Sequence, residues 1–256
     1  MLSLDSSKKL FVAYLTAGLP KPQSFVELIS EISRYADAIE VGLPFSDPIM
    51  DGPIIQEASS QALRQGVTVD RCFDLIKQAN EYAKCPLLVM TYYNPIHRMG
   101  VSGFIAKLVV SGVAGLIVPD LPIEESAELA DAATAADIAL VQMVAPTTSH
   151  ERAKRIVSSC HGFIYAVSRL GVTGGTDDLT EAAKQVIDRI GPNPPLPVLL
   201  GIGISNADQA SEAAALADGV IVGSALMQRV LAGDIEGAVT LANQIRRRVS
   251  QNIPGQ

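Results

Sequence analysis

Asp37-Ala38-Ile39-Glu40-Val41 runs directly into GLPFSDPIMDGP, residues 42–53, and the reading of this join decides the fold. The first piece is an apolar run with a carboxylate near its end, the pattern of a strand covered on both faces. The second carries Pro44, Pro48 and Pro53 with Gly42 and Gly52, so it extends neither a strand nor a helix and reads as a loop. A lone ionised Glu on a buried strand costs several kcal/mol or gives up its charge. Glu40 is therefore a candidate for chemistry. Asp51, eleven residues on, is carried by the loop toward the same mouth.

Seven other apolar runs recur along the chain, at residues 11–16, 86–91, 114–118, 138–143, 163–167, 197–200 and 219–222. Helix-like segments at 23–34, 102–111, 124–135, 149–159, 180–190, 206–215 and 225–248 lie between or after them. Strand and helix in alternation predict a parallel sheet. Eight units fit 256 residues as a closed (β/α)₈ barrel, the TIM barrel, so the expectation is an α/β chain forming one domain over residues 1–256. Glu40, Tyr92, Asp120, Gln142, Ser168, Gly201 and Gly223 fall at or just beyond the ends of runs, where such barrels build their chemistry. GPNPPLP, residues 191–197, reads as a stiff connector across the barrel bottom, and Arg246-Arg247-Arg248 as a solvated helix end.

Composition narrows the function. Hydrophobic residues make up 48% and charged ones 18%, with a net charge of -7 and a pI near 5.0. An acidic surface disfavours broad contact with nucleic acid or an anionic membrane, both of which need a basic face. A phosphorylated small molecule can still be held by backbone donors. The first eighteen residues have neither the apolar length nor the cleavage pattern of a signal peptide, so the expected location is cytoplasmic. Cys72, Cys85 and Cys160 are scattered and read as buried free thiols, while His97, His150 and His161 show no ligand spacing. No metal is expected.

Three glycine-bearing loops follow the last three runs: SRLGVTGG at 168–175, GIGIS at 201–205 and VGSAL at 222–226. Together they suggest a phosphate cradle of backbone amides at a helix amino end. Tyr92 and Asn94 in TYYNP and Tyr165 in FIYAV suggest a deep cavity with hydroxyls at its edge, suited to a flat apolar ligand with one polar nitrogen. None of the eight runs contains a lysine, which sets aside a Schiff-base aldolase. The first run, FVAYLT, lacks the Cys or Asp that a sugar-phosphate isomerase of this class would place there.

From FVAYLTAGLP through EVGLPFSDPIMDGPIIQ, TYYNPI, VPDLPIEES, SRLGVTGG and GIGIS to VGSAL, the chain resembles the tryptophan synthase alpha subunit family over nearly its whole length. The resemblance implies retro-aldol cleavage of indole-3-glycerol phosphate to indole and glyceraldehyde 3-phosphate. It also implies a pyridoxal-phosphate beta subunit that receives the indole in an αββα (alpha2beta2) heterotetramer, with no cofactor in the alpha chain itself. By motif, Glu40 becomes the catalytic acid/base and Asp51 the acid that holds the indole nitrogen. Tyr165 resembles the family tyrosine beside the site, Thr173 the loop threonine that closes onto Asp51, and Gly174, Gly203, Gly223 and Ser224 the phosphate cradle. The loop from Pro44 to Pro53 is the expected contact with the partner. A regulatory subunit that mainly activates its partner, or a stand-alone indole-releasing lyase, are the alternatives. Three departures stand out: only about ten residues before the first run, where the family has a helical lead across the barrel bottom, Ile202 where an aromatic is common, and Leu170 where a small or polar residue is usual.

Overall fold

A computed structural model describes residues 2–167, 176–201 and 203–251. Eight strands close into a barrel in sequence order, every pair parallel. They are β1 (Leu10–Thr16), β2 (Ala38–Gly42), β3 (Leu87–Met90), β4 (Gly115–Ile117), β5 (Ala139–Val144), β6 (Ile164–Val167), β7 (Val198–Gly201) and β8 (Gly219–Val222). All eight fall on the apolar runs of the sequence. Side chains alternate across each strand. Leu10, Val12, Ala38, Leu88, Phe163 and Leu199 belong to the inner cluster, while a larger cluster joins the outer strand faces to the helices. Val141 and Met143 also belong to the inner cluster, so Gln142 between them faces outward and leaves the set of rim candidates.

The surrounding helices are α1 (Pro22–Ile32), α2 (Pro53–Arg64), α3 (Val69–Asn80), α4 (Tyr93–Met99), α5 (Val101–Val110), α6 (Ala127–Ala135), α7 (His150–Ser159), α8 (Thr176–Ile190), α9 (Ala207–Leu216), α10 (Ser224–Leu231) and α11 (Ile235–Ser250). The first two begin with proline at the opening turn, where its missing N–H costs nothing. Thr68, Ser149, Asn206 and Asp234 cap α3, α7, α9 and α11 through side-chain oxygens. Three of these helices, α2, α3 and α4, were not read from the sequence. Signals for two of them are present: Gly52-Pro53 with buried Ile55, Ala58, Ser59 and Ala62, and Thr68 ahead of Asp70. The segment 225–248 is not one helix. Gly233 takes φ 77°, and Asp234 restarts the backbone by capping Gly237, so α10 and α11 meet at a turn.

The barrel bottom corrects the reading of the basic run. Arg246 is not a solvated helix end: its side chain is 19% exposed, it pairs with Asp37, and it donates to the Lys9 carbonyl at 2.7 Å. Asp37 also accepts from Lys8 Nζ and from the Phe11 amide, each at 2.8 Å. At the far side of the β1 seam, Asp218 accepts from the Val198 amide at 2.8 Å. Thus Ala36-Asp37 and Ala217-Asp218, each just before a strand, use one carboxylate to hold a neighbouring strand. Leu2 is buried in the inner cluster, close against Gly162. Leu2 thereby plugs the barrel bottom ahead of β1. Cys72 and Cys160 are buried thiols and Cys85 a half-buried one, each pushed up to about 12 by burial.

Candidate active site

Glu40 lies on the inner face of β2, two residues beyond inward Ala38, and is paired in register with Tyr14 of β1. It is fully buried. Neither carboxylate oxygen has a hydrogen-bond partner among the described residues. Burial without a compensating charge pushes its pKa up to about 8, so the acid is predominantly protonated at neutral pH. An unpartnered buried carboxyl in a barrel interior is poised to give a proton to something that enters the mouth.

Asp51 stands at the end of the loop after β2. A turn closes there, with the Asp51 amide on the Pro48 carbonyl at 3.1 Å, and Gln56 of α2 donates to the Asp51 carbonyl at 2.9 Å. The Tyr92 hydroxyl donates to Asp51 Oδ2 at 3.0 Å and accepts from the Met50 amide at 2.9 Å. Phe45 stacks on the Tyr92 ring at 5.1 Å. Burial raises Asp51 to about 6, with the Tyr92 bond opposing the rise. The two acids are thus separated in strength. At pH 7 Glu40 is mostly neutral and Asp51 mostly ionised, the division of labour that lets one donate a proton while the other offsets positive charge.

Tyr14 and Tyr165 complete the lining. Both are buried, and both are held well above the ordinary phenol value by burial first and then by the charges of Glu40 and Asp51. Tyr14 pairs in register with Glu40, and Tyr165 belongs to the inner cluster of the barrel. Glycines make room for the rings. A methyl on Gly42 would lie 2.0 Å from the Tyr14 hydroxyl, and one on Gly201 would lie 2.5 Å from the Tyr165 ring. Gly223 is adjacent to Tyr14 as well, and its successor Ser224 opens α10, whose Gly223 cap supplies no side-chain hydrogen bond. The amino end of α10 thus follows the end of β8 without a side-chain cap from Gly223, and it presents the positive end of the helix dipole there. Gly203 lies beyond β7 with φ 73°, a conformation favouring glycine.

The structure thus joins Asp51 to Tyr92, pairs Glu40 with Tyr14, sets Tyr165 in the barrel interior, and places Gly223 against Tyr14. Thr173, Gly174, Ser168, Leu170 and Ile202 lie outside the described residues. Sequence reasoning missed Tyr14, although it sits opposite Glu40. The available signal was a tyrosine two residues from inward Val12, the only hydroxyl besides Thr16 on a strand that otherwise carries Leu, Phe, Val and Ala. Among the described residues, no group of three or more His, Cys, Asp or Glu side chains is placed to hold a metal ion. No described helix is long and apolar enough to cross a membrane.

With this geometry described, comparison with known proteins is informative. A family model described as tryptophan synthase alpha chain matches residues 2–252. The tryptophan synthase alpha chain of Streptomyces coelicolor is 42% identical over 244 residues, covering 93% of this chain and 90% of that protein. That of Methanosarcina mazei is 41% identical over 239 residues, covering 92% and 87%. Among solved structures, a chain of Mycobacterium tuberculosis tryptophan synthase superposes with a TM-score of 0.87 at 34% identity, covering 96% of this chain and 94% of that one. The Legionella pneumophila alpha chain gives 0.85 at 30%, covering 97% and 94%.

Proposed function

From the premise that the chain belongs to the tryptophan synthase alpha chain family, we propose how its barrel mouth carries out the family reaction. That reaction is the cleavage of indole-3-glycerol phosphate in tryptophan biosynthesis, a lyase activity. One observation carries the assignment of roles: Glu40 is fully buried with no hydrogen-bond partner among the described residues, whereas Asp51, on the loop that follows the same strand, is held by Tyr92.

The bond between the glycerol chain and the indole ring breaks only when the ring carbon can take back the electron pair. Protonated Glu40 gives its proton to that carbon. Positive charge then develops on the ring nitrogen, and ionised Asp51 holds the nitrogen's proton and offsets the charge. Glu40, now a carboxylate, takes the proton of the hydroxyl on the adjoining glycerol carbon. The carbon–carbon bond breaks, its electrons return to the ring, and indole and glyceraldehyde 3-phosphate leave with Glu40 again protonated. Tyr14 and Tyr165 bound the slot for the flat ring, and Tyr92 holds Asp51. Gly203, Gly223 and Ser224 are assigned the phosphate end of the site through backbone donors; by the family motif Gly174 joins that role and Thr173 that of the closing loop threonine, both outside the described residues. None of these steps calls for a metal or cofactor in this chain.

A beta subunit fits the family, and we assign its contact to the loop after β2. Ile49 at its tip is 77% exposed beside Asp47, an uncommon position for a large apolar side chain unless something covers it. An alpha2beta2 assembly of this kind, with pyridoxal phosphate in the beta chain only, is the reading we adopt, together with a cytoplasmic site of action and a single barrel domain spanning the chain. Indole release from indole-3-glycerol phosphate, followed with and without a beta subunit, tests this. Glu40→Gln should lower turnover by ~10²–10⁴-fold and Asp51→Asn by ~10²–10³-fold. Release unaffected by Glu40→Gln would refute the mechanism.

A further inference from the structure

Tyr92 occupies the N-cap position of α4, yet its side chain makes no capping bond there, because its hydroxyl is committed to Asp51 and Met50. The acceptor is supplied from elsewhere. Asp120, in the loop after β4, receives the Tyr93 amide on Oδ1 at 2.8 Å. A carboxylate at a helix amino end is favoured by the exposed amides and the helix dipole. Asp120 thus fixes the backbone at the point from which the Tyr92 ring projects, and the ring in turn is stacked against Phe45 of the acid-bearing loop.

We propose that Asp120 is a positioning residue for Asp51, acting through α4 and Tyr92 as a latch on the loop after β2. The chain of bonds runs from Asp120 to the Tyr93 amide, through the Tyr92 backbone and ring, and from its hydroxyl to Asp51 and the Met50 amide. Each link has one partner that the next depends on. Losing the Asp120 carboxylate frees the first turn of α4 and lets the Tyr92 hydroxyl move off the loop. The loop then loses both a donor to Asp51 and an acceptor for Met50. The effect on turnover rests on the reaction assigned above, whereas the latch itself does not.

Hydrogen exchange at the Met50 amide reads the latch without any substrate. Tyr92→Phe removes the acceptor and should speed exchange by roughly tenfold, and Asp120→Ala should do the same although it touches neither Met50 nor Asp51. Asp120→Asn, which keeps an acceptor oxygen for the Tyr93 amide, should retain most of the protection. Asp120→Leu keeps the volume without the oxygens and stands in should the alanine variant not fold. In kinetics, Asp120→Ala and Tyr92→Phe should lower kcat by similar factors, and the double variant by no more than the larger single effect, as members of one unit do. Wild-type Met50 protection in Asp120→Ala or Asp120→Leu, or in Tyr92→Phe, would overturn the latch. So would additive losses in the double variant. If the wild-type chain releases no indole, the assigned reaction fails, and the exchange experiment still decides the latch.

Discussion

At the scale of single residues, the site depends on two carboxyls whose surroundings differ. Burial sets Glu40 at about 8, whereas burial raises Asp51 only to about 6, with the Tyr92 hydrogen bond to its ionised form opposing the rise. In the proposed mechanism the productive enzyme has Asp51 ionised and Glu40 protonated. The pH profile of kcat/KM should therefore be bell-shaped, rising through about 6 and falling through about 8, as an indole-release assay across that range would show. Stability carries the same signature with a definite sign. Between the ordinary value of 4.5 and the folded value of about 8, the unfolded chain has lost the Glu40 proton while the folded chain keeps it. Folding stability should fall as pH rises through that window and level off above it. Glu40→Gln cannot ionise, so its Tm should gain on the wild type from pH 4.5 to 8 and then run parallel.

At the scale of elements, the strand ends are shaped by pairs of tyrosine and glycine. Tyr14 fills the space that a side chain on Gly42 would need, and Tyr165 does so for Gly201. Gly42→Ala forces its new methyl to within 2.0 Å of the Tyr14 hydroxyl, so the ring must shift. Overpacking of this kind costs ~1–3 kcal/mol, measurable by urea unfolding, and Tyr14→Ala in the same chain should recover part of it. Gly201 was legible as a rim residue in the sequence and Gly42 as a glycine of the loop after the second run. That they make room for neighbouring phenols depends on strand register, which aligns Tyr14 with Glu40 and Tyr165 with Leu199. Register is a property of two strands and cannot be read from either one.

At the scale of the molecule, the mouth carries the chemistry while the bottom carries much of the closure. Arg246 of α11 reaches Asp37 before β2 and the Lys9 carbonyl before β1, so the last helix, the first strand and the lead are tied at one point. Arg246→Ala leaves a nearly buried Asp37 with only Lys8 and the Phe11 amide as partners and should cost about 2 kcal/mol in denaturant unfolding, with turnover at ambient temperature little changed. Arg246→Lys should restore only part, because one ammonium does not reproduce both guanidinium contacts. Loss of turnover matching the loss in Asp51→Asn would contradict this separation of the two ends.

The amino-acid sequence by itself determined the eight strands, their parallel arrangement and the family, because apolar runs and glycine-proline punctuation are local, and a long motif needs no coordinates. It also singled out Glu40, Asp51, Tyr92 and Tyr165. The tertiary structure alone decided that Glu40 has no hydrogen-bond partner among the described residues, that Tyr14 pairs with it in register, that Gln142 points away, and that Arg246 is a clamp on Asp37 instead of a solvated end. The reason is physical. Solvation, pKa and pairing depend on what other elements bring within a few ångströms of a group, and residues such as Asp37 and Arg246 come together only when the barrel closes.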